Sequence, residues 1–349
     1  MKLLIIFLAF FVFVPTVSAK WQKYDVKTDA GFRGLDVVSE KIIWASGTGG
    51  TVIRTIDGGR SWDVITVPGA EKLDFRDIEA FDEDTAYILS IGNGENSRIY
   101  KTTDGGESWN LQFKNTIEKA FFDSIAFWDE KNGMAQSDPV DGIYVFYRTT
   151  DGEKWTRVSS KKMPRAKKGE AAFAASGTCI VTKGTDSIWL ITGGMDARVF
   201  YSKNRGKSWN AYTTPMIRGT QGSGIFSIAM FDQMRGAIVG GNYEKPNETK
   251  NNLAFTTDGG KTWQAGTGLS GYRSGVTYID QNVLLAVGSN GSNFSDNGGR
   301  TWQKLDEENY NAVDSVGNIN NWRKTAWAVG PKGMVSRFER KIIRLDFDF

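Results

Sequence analysis

The chain has 349 residues, 40 of them Gly and 7 Pro, with 13% aromatic, 24% charged and 40% hydrophobic residues and a formal charge of +3. That profile excludes disordered, collagenous and coiled-coil proteins, and the slight charge argues against a nucleic-acid partner. No histidine is present, which excludes Ser/His/Asp triads, Cys/His dyads, His-ligated zinc and any imidazole acid–base step.

Residues 1–19 begin with Lys2, continue through an apolar run from Leu3 to Val14 and end in Val17-Ser18-Ala19. A basic start, a short apolar stretch and small residues at the end predict a signal peptide cleaved after Ala19, hence a secreted or periplasmic protein. A retained anchor is the alternative, but the run is short for a span, and no span is expected after cleavage. Loss of Lys2 would take the charge from +3 to +2. Cys179 is the only cysteine, so no internal disulfide forms.

From Thr55 onward a short phrase recurs: TIDGGRSW, TTDGGESW, TTDGEKW, SKNRGKSW, TTDGGKTW and SDNGGRTW. Its tryptophans, Trp62, Trp109, Trp155, Trp209, Trp263 and Trp302, are 47, 46, 54, 54 and 39 residues apart. Such a period suits four short strands per unit, the size of one β-propeller blade. The segments before each phrase alternate as hairpin strands, for example Ile42–Ser46 and Thr51–Arg54, with the Gly47–Gly50 run as their turn. Within the phrase, Asp57, Asp104, Asp151 and Asp258 are placed to accept backbone N–H groups, and Asn204 and Asn297 can do the same. These positions, with the six tryptophans, read as structural.

A seventh unit is split between the termini. The stretch around Trp21 resembles the strand after each phrase, while 325–338, TAWAVGPKGMVSRF, resembles the two strands before one. The expectation is an all-β, seven-bladed propeller over residues 20–340, with four-stranded antiparallel blades, the last closed by the N-terminal strand so that no edge is left open. The 330 residues after Ala19 divide into about 47 per blade. Residues 341–349 are left as a tail.

The repeated phrase is the Asp box, or BNR repeat, and its copies cover the chain after residue 19. Asp boxes occur in sialidases, sortilin-type receptors, some glycoside hydrolases and the photosystem II assembly and stability factor family. The chain most resembles the last of these and secreted bacterial proteins like it, with Trp44–Gly50, Trp327–Gly330, Asp138–Gly142 and Gly240–Tyr243 as supporting phrases. The resemblance implies a non-enzymatic binding module, expected to be a monomer, that holds a protein or an anionic or carbohydrate ligand on its channel face.

Inner-strand starts aligned by apolar pattern are Phe32, Phe75, Phe121, Gly169, Gly224, Tyr272 and Asn311, and their second positions include Arg33, Arg76, Glu170 and Arg273. Three guanidinium groups and one carboxylate converging on a channel mouth would form an anion site. The plainer alternative pairs each arginine with a neighbouring acid such as Asp77. Sialidases hold a carboxylate with three arginines, the first in a Phe-Arg-Ile-Pro motif; Phe32-Arg33-Gly34-Leu35 lacks the Ile-Pro. A glycosidase reading would draw on Glu170, Asp36, Asp77 and Tyr272, because two carboxyl groups about 5 to 9 Å apart suffice. No metal or cofactor motif appears: Asp138–Gly142 and Asn290–Asn293 read as turns, and 243–253 as a flexible loop able to rim a binding face.

Overall fold

The computed structural model describes residues 16–316 and 325–343. Seven antiparallel sheets follow one another around a ring; each blade has four strands, and two short flanking strands extend the sheet of the fifth blade to six. Their inner strands are Phe32–Val37, Phe75–Ala80, Phe122–Asp129, Ile180–Lys183, Ser223–Met230, Gly275–Asp280 and Ala312–Ser315. In the seventh blade the strand Thr16–Asp25 pairs antiparallel with Met334–Ile343, so the N-terminus closes the ring as expected. That pairing places 341–343 in the last strand rather than in a tail; residues 344–349 lie outside the described residues, as do residues 1–15. No helix of the described residues is long and apolar enough to cross a membrane.

The Asp boxes make the tight turns before each outermost strand. Asp57 Oδ1 accepts the N–H groups of Arg60 and Ser61 at 2.9 and 3.0 Å, and Oδ2 accepts the Ser61 hydroxyl at 2.6 Å. Those bonds, led by the Ser61 hydroxyl, hold the Asp57 carboxyl far below its usual range. Asn204 and Asn297 each accept the N–H four residues on at 3.0 Å, which explains why the amide serves in their boxes. The turn brings each box against the preceding blade: Trp62 meets Trp327 edge-on at 5.6 Å, and Trp209 stacks on Phe146 at 5.4 Å. Gly59, at φ +86°, lies so close that a Cβ would stand 2.5 Å from the Trp327 ring.

Carboxylates of the inner strands also join blades. Asp36 Oδ2 accepts Ala80 N–H at 2.6 Å, Asp77 Oδ2 accepts Ile125 N–H at 2.7 Å, and Asp314 Oδ2 accepts Val37 N–H at 2.8 Å. Each acid thereby stitches its blade to the next inner strand, and burial, the dominant effect, raises all three above the usual carboxylate range. Glu79 is raised by burial and then by Asp36 beside it.

The fourth blade departs from the sequence expectation. Its inner strand is Ile180–Lys183, not the stretch beginning at Gly169. Residues Glu170–Ala171 instead pair with Gly193–Gly194, which continues to Gly224 of the fifth blade. The chain between, 172–178, crosses the channel mouth and is tied to four other blades: Arg33 Nη1 donates to Ala175 O at 2.9 Å, Arg76 Nη1 to Ala174 O at 3.2 Å, the Ser124 hydroxyl to Gly177 O, and the Ser176 hydroxyl to Ser274 O at 2.7 Å. It forms a plug.

Candidate functional site

Inner strands start, and second and third strands connect, on the face opposite the Asp boxes. On that face the plug and the inner-strand starts of blades 1, 2, 5, 6 and 7 line a pocket of about 420 Å³. Its floor is aromatic. Phe173 of the plug stacks on Phe226 at 3.9 Å with planes 5° apart, and Tyr272 meets Phe226 edge-on at 4.8 Å. Tyr243, half-exposed at 50%, stands over the edge of Phe226 at 6.2 Å. It opens the loop between Gly236–Asn242 and Leu253–Thr256, so the long insertion does rim this face.

Arg33 and Arg76 both line the pocket. Arg76 Nε donates to Asp74 Oδ2 at 2.8 Å, which neutralises it. Arg33 donates to the Ala175 carbonyl and makes no ion pair among the described residues. Burial, then the positive charge of Arg76, lowers its pKa from the usual arginine value. One net positive charge thus sits beside an aromatic wall in a site partly withdrawn from water. A carboxylate carried on an apolar group satisfies both features, because desolvated guanidinium–carboxylate bonds are stronger than exposed ones.

Arg273 and Glu170 do not join them. Arg273 is fully buried, with Nε and Nη2 donating to Asn293 Oδ1 at 2.8 and 2.5 Å and Nη1 to Asn290 Oδ1 at 2.7 Å. Asn290 in turn donates to Pro246 O at 2.7 Å, so Arg273 braces the 243–253 loop instead of meeting a ligand. Burial brings its pKa down to about 10. Glu170 lies beyond the plug, its carboxylate held by Arg198 Nε and Nη2 at 2.9 and 2.5 Å and by the Thr192 hydroxyl at 2.6 Å. Glu170 falls outside the inner strands because the plug insertion mimics one; no signal in the sequence pointed to Arg198 as its partner.

The four residues of the glycosidase reading are likewise dispersed. Glu170 is neutralised, Asp36 and Asp77 hold backbone N–H groups between blades, and Tyr272 packs in the aromatic floor with its hydroxyl raised by burial. Among the described residues no group of three or more Cys, Asp or Glu is arranged to hold a metal ion. The Asp138–Gly142 segment spans the end of one strand and the turn to the next, with Asp141 at φ +53°.

Residues 13–111 match the sequence profile of the photosynthesis system II assembly factor YCF48 family, and 254–265 match the BNR/Asp-box repeat. The chain is a seven-bladed Asp-box propeller similar to the YCF48 family. No curated protein matches it in sequence. Among solved structures, YCF48 bound to a D1 peptide superposes with a TM-score of 0.63 at 17% identity, covering 94% of this chain and 96% of that one. YCF48 from Cyanidioschyzon merolae gives 0.66 at 16% identity, covering 92% and 99%. The Niastella koreensis GH74 enzyme gives 0.60 at 14% identity over 91% of this chain and 53% of the enzyme. At these identities the likeness is one of fold, shared by binding proteins and an enzyme alike.

Proposed function

We propose that this propeller is an exported, non-enzymatic binding module that holds a protein partner by seating a peptide carboxylate in the Arg33 pocket, in the manner of an assembly or stability factor. The observation that carries the reading is the unpaired Arg33 guanidinium set against the Phe173–Phe226 stack on an open face. Support comes from the YCF48 neighbour that is bound to a peptide. The dispersal of Glu170, Asp36, Asp77 and Tyr272 favours binding over glycoside hydrolysis. Export rests on the leader read in residues 1–19.

The test is titration of the mature chain with acetyl-Ala-Ala-Ala-Phe bearing a free carboxylate and with its C-terminal amide. Binding of the acid at least ten-fold tighter than the amide, lost in Arg33→Ala, is the expected result. Equal affinity for both, or an Arg33→Ala variant that binds as well as wild type, would overturn the reading.

A further inference from the structure

The segment 157–175 runs from the rim of the ring to its centre and lines three depressions in succession. Arg157 to Arg165 wall an outer one of about 670 Å³, Ala166 to Ala171 a middle one of about 430 Å³, and Phe173 to Ala175 the central pocket. The outer depression opens where the outermost strand of blade 3 stops after three residues, Thr156–Val158. All three lie on the same face, because that strand end, the Gly142 turn and the inner-strand starts share it.

Charge along this path is one-sided. Residues 157–168, RVSSKKMPRAKK, hold six cations and no acid. Lys167 pairs with Asp196; Arg157, Lys161, Lys162, Arg165 and Lys168 make no ion pair among the described residues, and all five are exposed. The acids that approach are already engaged, Glu170 with Arg198 and Asp138 with the Ala172 N–H at 2.8 Å. The walls are aliphatic, formed by Val158, Met163 and Pro164, with Ile143 41% exposed on the rim.

We infer that this path is a radial groove for an extended acidic peptide segment, which lies over the basic loop while the partner's terminal carboxylate sits at Arg33. The inference rests on the binding reading above and adds the composition of the partner upstream of its terminus. Like charges spread along a chain match spaced lysines and arginines, and aliphatic walls between them receive its apolar side chains. Bases would need exposed aromatic surfaces to stack on, and the outer and middle depressions offer none beyond the buried Tyr144.

Two fluorescent peptides with the same free C-terminal Phe separate the claims, one carrying three Glu residues upstream and one carrying three Ser. Fluorescence anisotropy at low salt is expected to show the Glu peptide binding wild type about ten-fold more tightly, with the advantage shrinking as salt rises. Exchanging Lys161, Lys162 and Lys168 together for Gln should abolish that advantage, whereas Arg33→Ala should weaken both. Equal affinity of the two peptides for wild type, with Arg33 dependence retained, overturns the groove and leaves the binding reading intact. Failure of both peptides to bind overturns both. The groove also fails if phosphatidylglycerol vesicles or an oligo-dT strand displace the Glu peptide at lower concentrations than unlabelled Glu peptide does.

Discussion

Asp77 Oδ2 lies 2.6 Å from the Ser124 hydroxyl oxygen, beneath the plug, and that same hydroxyl also contacts Gly177 O. One hydroxyl proton serves only one acceptor. When Asp77 is protonated, its O–H donates to Ser124 while Ser124 donates to Gly177, and both contacts are satisfied.

This arrangement predicts a pH dependence of stability. Burial pushes Asp77 up to about 8, against the opposing bonds from Ser124, Ile125 and Ile78. An unfolded aspartate titrates near 3.9. The folded chain therefore holds the proton more tightly, and the stability this contributes is complete below about pH 4 and is lost as pH rises through about 8. Asp36 and Glu79, also raised by burial, add to the same trend. Urea unfolding between pH 5 and 8 should show stability falling with pH, by up to about 1.4 kcal/mol per unit for each proton. Asp77→Asn should flatten that slope by one proton while costing stability at pH 5, since an amide cannot satisfy both Ile78 and Ile125. An unchanged slope would show that Asp77 is ionised when folded.

The Glu170–Arg198 pair is buried, the Glu170 side chain fully and the Arg198 side chain to 9% exposure. Removing one partner leaves a desolvated charge behind, so Glu170→Ala should cost about 3–5 kcal/mol in urea unfolding. Removing Arg198 as well should cost less than the sum of the single changes. Additive losses would show that the two side chains do not depend on each other.

Gly177 sits at φ +74°, and a Cβ there would stand 2.2 Å from Asp77 Oδ1. Gly177→Ala is expected to destabilise by about 1–3 kcal/mol, combining the backbone cost with displacement of the plug. Because Ala174 and Ala175 carbonyls orient Arg76 and Arg33, the same change should weaken binding of the acetyl-Ala-Ala-Ala-Phe acid. A variant that is destabilised but binds normally would show that the plug does not position the guanidinium groups.

The ring was legible because each Asp box states its own turn, six copies set the period, and the half-units at the two termini complete the count of seven blades. The site was legible in part. Arg33 and Arg76 follow a phenylalanine at true inner-strand starts, so local pattern placed them correctly. Glu170 failed because GEAAFAA has the apolar spacing of an inner strand, whereas the actual strand begins at Ile180; the 54-residue interval from Trp155 to Trp209 carried the trace of that insertion. Arg273 lies two residues before the inner strand Gly275–Asp280, close to the expected start, but its direction is decided by Asn290 and Asn293, partners about twenty residues away that no local pattern reveals.

Closure of the ring depends on the N-terminal strand. Trp21 packs against Tyr310 at 5.5 Å and Phe338 at 5.3 Å, and its Nε1 donates to Ser292 of the sixth blade at 2.9 Å. Cleavage after Ala19 would retain the register from Lys20↔Glu339 to Asp25↔Met334 and lose only the outer pairs from Thr16 to Ala19. A chain starting at Lys20 should therefore be as stable as one starting at Met1. A chain starting at Thr28 leaves Met334–Ile343 unpaired on its outer side, and an open edge is prone to associate with other chains. It should unfold at lower urea and elute as larger species in size-exclusion chromatography. A synthetic peptide of residues 20–27 should restore both properties, since it supplies the missing strand without a covalent link. If the peptide has no effect while the shortened chain is still destabilised, the N-terminal strand contributes through its connection to the first blade rather than through pairing with the last.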